Sequence, residues 1–276
     1  MKEFKYMNLK VDAIITTYNE PADNINITIL SCLNQSVSFN NIYVVDDGST
    51  YSPEKKLVQD SRVIYLQLKE NIGISAARNF GLNISTTPYV AIINVDIELN
   101  RNWLLELLNN LNSNPNIGAA FGKLFPITDS LISKWRMRFH EQHYYEISGV
   151  VEFAPGHAVL FEKDKLVRIN FYNDHLKLVH EDADICLRLK KIAIDTYYNS
   201  KISTISHQKD TICLISKKHF IRLTFGKLNT MPNIEFLKNW VKDLFLRLTR
   251  NTFKLRWYFL PLDIIISIRC ISYYYK

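Results

Sequence analysis

The sequence predicts an α/β fold over residues 1–210, a sheet whose strands are joined by crossover helices, followed by a basic helical extension over 211–276. Three observations carry that expectation. Short apolar runs alternate with helical patterns as far as residue 113. Polar clusters follow the runs at 16–21, 46–50 and 94–98, where an open α/β sheet places its ligands, at the carboxyl ends of strands. Composition then changes: residues 211–276 hold 12 Lys and Arg against 3 Asp and Glu, whereas residues 1–210 hold 22 against 24.

"VDAIITTYN" (11–19) reads as a strand and "NITILSCLNQ" (26–35) as a helix. "NIYVVDDGS" (41–49) is a second strand ending in a turn, and "VIYLQL" (63–68) a third. Their unbroken Val and Ile runs suit strands covered on both faces. "GISAARNFGLNIS" (73–85) is a helix whose Ala76, Ala77 and Gly81 allow close packing on the sheet. "YVAIINVD" (89–96) is a fourth strand, and "NWLLELLNNLNS" (102–113) a helix. The order approaches a regular β-α-β-α-β-α-β alternation, with no helix assigned between 49 and 63, an architecture that binds nucleotides.

With 276 residues, 47% of them hydrophobic, the chain can bury a sizeable core, which excludes a disordered tail. Cys32, Cys186, Cys213 and Cys270 are far apart and form no C-x-x-C pair. They exclude a disulfide framework and a structural zinc site, and buried thiols are expected. "MKEFKYMNLK" has no apolar signal region, so a cytoplasmic location is expected.

The extension suits either nucleic acid or anionic lipid. In "EFLKNWVKDLFLRLTR" (235–250), Phe236, Leu237, Trp240, Val241, Leu244, Phe245 and Leu248 make one helical stripe. Such a helix lies at a membrane interface or docks on protein. "YFLPLDIIISIRCISYYY" (258–275) is broken by Pro261, Asp263 and Arg269, short of the ~20 apolar residues of a spanning helix. A peripheral protein on the inner face of the plasma membrane is the expectation.

In "TTYNEP" (16–21), Tyr18 offers a ring for base stacking and Glu20 a carboxylate for a ribose hydroxyl, or the strand simply leaves into a proline turn. "VVDDGST" holds Asp46 and Asp47, either binding a base N–H or ribose, or forming an Asp-Gly turn. Arg78 sits one turn into a helix of small residues, where an inward guanidinium needs an anionic or carbonyl partner. Asp96 follows four apolar strand residues, placed for a hard divalent ion or for a turn.

"HEDADICLRL" (180–189) combines an apolar helical face, Ile185, Leu189 and Ile192, with acidic residues at its start. Asp184 and Arg188 are spaced as an i,i+4 pair. Glu181 and Asp182 lie in the first turn, where they suit capping. A first-turn carboxylate is also rigidly held and ionised, as a general base must be.

These motifs, with "PGHAVLFEK" (155–163) and "ISTISHQKD" (202–210), resemble in order those of the family 2 glycosyltransferases, inverting sugar-nucleotide enzymes of GT-A fold. The resemblance runs from about residue 10 to about 210, and "NVD" is similar to the variant metal motif of rhamnosyltransferase-like members. It implies a Rossmann-like nucleotide-binding mixed sheet flanked by helices, with a nucleotide half over about 1–100 and an acceptor and catalytic half over 101–210. It implies that Thr16, Tyr18, Glu20, Asp47 and Arg78 bind the nucleotide, with Asp46 as a second contact. Asp96 and His207 would hold Mg²⁺ or Mn²⁺, Asp182 would be the base and Glu181 its partner. The implied donor is a dTDP-rhamnose or UDP-hexose type of sugar nucleotide, and the acceptor a hydroxyl of a saccharide or lipid-linked saccharide in surface polysaccharide synthesis. Nucleic acid is not an expected partner. A nucleotidyltransferase would need a glycine-rich cationic loop that "TTYNEPADN" lacks. A noncatalytic binding module would rest on the basic tail alone.

Overall fold

A computed structural model describes residues 9–137, 146–177, 179–224, 238, 240–246, 248–249 and 259–274. The chain forms two compact units, Met1–Ile127 with His140–His207, and Thr128–Phe139 with Gln208–Lys276. The first unit ends at His207, and a short segment after Ile127 joins the second unit.

The first unit contains the whole sheet: β1 Val11–Thr17, β2 Ile42–Asp46, β3 Val63–Gln67, β4 Tyr89–Asn94, β5 Ile97–Leu99, β6 Ile117–Pro126, β7 Gly149–Val151, β8 Ala158–Glu162 and β9 Asp195–Ser206. Its order is β3-β2-β1-β4-β8-β6-β9-β5, with β7 on β9. The β3-β2-β1-β4 half is parallel, as its apolar runs predict. Beyond β4 the sheet is mixed, since β8 runs antiparallel to both β4 and β6.

Helices α1 Ala22–Leu33, α2 Ile74–Ile84, α3 Trp103–Ser113, α5 Lys163–Arg168 and α6 Glu181–Lys191 flank it, while α4 Leu131–Met137 belongs to the second unit. Helix α1 starts at Ala22, not Asn26, because the Pro21 carbonyl receives the N–H groups of Asn24 and Ile25. Ala22, Ile25, Ile29 and Cys32 then make its buried face. No helix joins β2 to β3: that crossover holds only a 3-10 turn, Glu54–Lys56, which corrects the regular alternation expected. Strands β5, β6, β7 and β8 are additions to the expected set. The core gathers Ile14, Val45, Ala77, Leu82 and Ile92 with Phe121, Phe161, Ile185 and Leu189.

At the far end of the sheet, buried Asp12 accepts from Asn40, the Asn41 amide and the Ser85 hydroxyl, at 3.1, 3.0 and 2.7 Å. Three charge-assisted bonds satisfy this carboxylate, which makes no ion pair among the described residues. Cys32 and Cys186 are buried, and burial pushes both thiols up, Cys186 to about 11. Cys213 is exposed, which corrects the expectation for that residue, and the Cys270 side chain is outside the described residues.

The second unit holds α4, α7 Ile212–Thr224 and a C-terminal helix, Leu260–Tyr274. Trp135, Ile215, Phe259, Leu262 and Ile266 form its core. The Trp135 indole donates to buried Asp263 at 2.9 Å, and Arg136 pairs with Asp210 at 2.8 Å. Residues 240–246 are helical, and the Trp240 indole donates to the Ser267 carbonyl at 2.9 Å. Phe236 and Leu237 of the expected stripe lie outside the described residues. No helix among the described residues is long and apolar enough to cross a membrane.

Candidate active site

Register brings three of the predicted clusters to one edge of the sheet. Thr16, half-buried, pairs with Val45 on β2 and with Asn94 on β4. The chain leaves β1 through exposed Tyr18 and then Asn19, whose left-handed backbone suits its residue type. Asn19 clamps the second loop: its amide donates to Ser49 Oγ at 2.7 Å, and its Oδ1 accepts from the Thr50 amide at 3.0 Å. Glu20 accepts from the Asn24 side chain at 3.0 Å.

Asp46 is fully buried and receives the Ser49 amide at 2.9 Å and the Tyr65 hydroxyl. Asp47 receives the amides of Ile72 and Gly73, at 2.8 and 3.0 Å, one on each oxygen. Burial pushes its pKa up, and those two amides oppose the shift. The pair therefore builds the turn and fixes the entry to α2.

The next corner turns on Asp96, whose backbone is left-handed at φ 63° and whose amide donates to the Asn24 carbonyl at 3.3 Å. Strand β5 then runs back along β9, and the His207 amide donates to the Asp96 carbonyl at 2.8 Å. The predicted metal pair is thus adjacent through its backbones. His207 Nε2 lies 2.7 Å from a Glu98 oxygen. A carboxylate only accepts, so Nε2 is the donor in this contact, and in the neutral ring Nδ1 then holds the lone pair a metal needs. Among the described residues no group of three or more His, Cys, Asp and Glu is arranged to hold a metal ion by itself.

At the other side of the β4 end stands α6. His180 precedes it with φ 70°, so the chain turns sharply into the helix. Asp182, half-buried, receives the Gly156 amide on Oδ2 at 3.1 Å and the Ala183 amide on Oδ1 at 2.8 Å. Glu181 is buried and pairs with Arg78 at 2.9 Å. Arg78 has no exposed surface, and its remaining bonds run to Asn94 Oδ1 at 2.9 Å and the Gly156 carbonyl at 3.4 Å. The expected anionic and carbonyl partners exist, but they are protein groups rather than an open nucleotide cleft. Arg188 is structural as its spacing predicts: it pairs with Asp184 and donates to the carbonyls of Ile169 and Phe171 at 2.6 and 2.7 Å.

The family profile described as Glycosyl transferase family 2 matches residues 12–171, more than half of the chain. The chain belongs to glycosyl transferase family 2. It is 24% identical over 222 residues to the glucosyl-dolichyl phosphate glucuronosyltransferase of Haloferax volcanii, covering 72% of this chain and 69% of that one. It is 26% identical over 208 residues to the amylovoran biosynthesis glycosyltransferase AmsB of Erwinia amylovora, covering 67% of this chain and 65% of that one. Its fold matches the crystal structure of GalNAc-T7 with UDP, GalNAc and Mn²⁺ at a TM-score of 0.61 and 13% identity, over 73% of this chain and 44% of that one. That likeness shows the GT-A fold and no more. The chain thus spans about two thirds of the length of the two curated relatives.

Within this family 2 domain several site residues are not evident from the motifs. Glu98 holds His207, and its signal is the carboxylate two residues after Asp96 in "DIE". Asn24 joins Glu20 to the Asp96 backbone from α1, a contact between segments more than 70 residues apart that no local pattern reveals. Asn79 on α2 holds the segment before α6 through the Tyr172 amide and carbonyl and the Asp174 carboxylate.

Proposed function

We propose that the chain is an inverting glycosyltransferase that moves a sugar from a nucleoside-diphosphate sugar to a hydroxyl of a saccharide or lipid-linked saccharide. The observation that carries this reading is Asp182: a half-buried carboxylate at a helix start, held on Gly156 of the loop that continues into β8, the antiparallel neighbour of β4. As the acceptor oxygen bonds to the anomeric carbon and the bond to the leaving phosphate oxygen breaks, Asp182 takes the acceptor's proton. Thr16, Tyr18, Glu20 and the Asp47 turn would receive the nucleotide at the ends of β1 and β2. Asp46 shapes that turn, and Glu181 orients the start of α6.

Asp96 and His207 would hold Mg²⁺ or Mn²⁺. The fit is that of an oxygen ligand and an imidazole whose other nitrogen is bound to Glu98. Two protein ligands leave the remaining positions to diphosphate oxygens, and a bound ion supplies positive charge against the leaving group. UDP is the favoured nucleotide because the GalNAc-T7 structure holds UDP with Mn²⁺, with dTDP-rhamnose kept as the alternative donor. A screen of UDP-, dTDP- and GDP-sugars tests this. One family is expected to raise the melting temperature, by about 2.7 kcal/mol of linkage at a hundredfold excess over Kd. The shift should shrink without Mn²⁺ and in His207→Ala. No shift from any sugar nucleotide would sink the reading.

Peripheral contact with anionic membrane belongs to the same reading, since the Haloferax relative is named for a dolichyl phosphate substrate. Docking of Trp240 on Ser267 leaves Val241 and Phe245 exposed beside exposed Lys238 and Lys242. Ile264, Ile265 and Ile268 make a further exposed stripe. Apolar residues with a basic rim suit a headgroup boundary. Phe245→Ser with Ile268→Ser is expected to release the protein from phosphatidylglycerol vesicles in a cosedimentation assay, and undiminished binding would leave these faces to a protein partner.

A further inference from the structure

We infer that Arg78 is a positioning residue for the general base, a role that rests on the reading of Asp182 above. Its guanidinium is fully buried and joins three segments. Nη1 donates to Glu181, the first residue of α6. Nη2 donates to Asn94, the last residue of β4, two positions before Asp96. The same nitrogen reaches the carbonyl of Gly156, whose amide is the donor to Asp182. Gly156 thus lies between Arg78 and Asp182. A Cβ there would stand 3.2 Å from Asp182 Cβ and 3.6 Å from Arg78 Nη2. One rigid fork therefore sets the start of α6, the loop that holds the base, and the strand end that leads to Asp96.

Stability alone does not account for this arrangement. A buried ion pair roughly repays its desolvation, and apolar replacements are often as stable. The Arg78 Nε, moreover, has no hydrogen-bond partner among the described residues, a further cost. Burial opposes the charge on Arg78, but Tyr172, Glu181 and Asp182 outweigh it and raise its pKa, so the fork stays a cation. The Tyr172 ring lies 5.2 Å from the guanidinium carbon and closes one side. Ser75 and Asn79, on the same helix, hold the segment at 172–176 that leads into α6. Ser75, Arg78 and Asn79 of α2 thus bind the first residue of α6 and the segment that leads into it.

Arg78→Lys keeps the charge and loses the fork. The expected result is a fall in kcat of about a hundredfold, since a misplaced base costs that order. The Kd of UDP in the presence of Mn²⁺, read by titration calorimetry, should stay within about threefold of wild type. In the double variant Arg78→Lys/Asp182→Asn, activity should be no lower than in Asp182→Asn, because the fork acts only through that carboxylate. A weakened UDP Kd with kcat unchanged would overturn the proposal in favour of direct nucleotide binding, and losses that multiply in the double variant would overturn it in favour of a general structural role. If Arg78→Lys does not fold, Gly156→Ala tests the same geometry and should show the same fall in kcat at unchanged UDP Kd. Wild-type turnover in Asp182→Asn would instead remove the underlying reading, whatever Arg78 does.

Discussion

Asp182→Asn is expected to lower sugar transfer by about 10²–10⁴-fold, the usual contribution of a positioned general base. The protein should remain folded and bind nucleotide as before. Asparagine is isosteric, and its Oδ1 can still accept one of the two amides that Asp182 now receives, from Gly156 and from Ala183. What is lost is the capacity to take a proton. The loss should therefore fall on kcat, with the melting temperature and the UDP Kd near wild type. Glu181 is a poor substitute because its carboxylate is already committed to Arg78 in a buried pair. Turnover like wild type in Asp182→Asn would remove this residue from the chemistry.

The parallel half of the sheet was legible because its strands are continuous apolar runs, and a strand covered on both faces has no other way to look. The short strand β5 and the ten-residue β6 were not legible. Ile97–Leu99 is too short to show a period, and "IGAAFGKLFP" carries two glycines and a proline that read as punctuation. Tertiary pairing on β9 supplies what local propensity lacks there. At the candidate site, residue types were legible and their partners were not. Arg78 could be placed on an inward face from its small neighbours, yet Glu181 lies 103 residues away and nothing local in either segment names the other. The missing helix between β2 and β3 has a plainer cause. "DGSTYSPEKK" is built of turn residues, and its one helical turn buries no side chain.

Gly48→Ala is expected to be the most destabilising of the single changes considered, and its effect reaches the nucleotide edge. Gly48 has φ 72°, a conformation that costs a residue with a Cβ about 1 kcal/mol. The larger cost is steric. A Cβ at this position would lie 2.3 Å from the Glu70 carbonyl carbon and 2.6 Å from the Asn71 amide nitrogen. Both are backbone atoms, so no side-chain rotation relieves the contact. The segment that must move carries Ile72 and Gly73, whose amides hold both oxygens of Asp47. Displacing it leaves a buried carboxylate short of its donors, which adds about 1–3 kcal/mol. A total of about 3 kcal/mol or more follows, a fall in melting temperature of roughly 6–12 °C for a unit of this size. Because the same turn carries Asp46, Asp47 and the Ser49 and Thr50 contacts to Asn19, nucleotide binding should weaken in step with stability. A melting temperature within about 2 °C of wild type, less than 1 kcal/mol by the same scaling, would mean that residues 70–71 yield freely. The turn would then be a flexible loop, and Asp47 would be free to reorient toward a ligand instead of being fixed at the entry to α2.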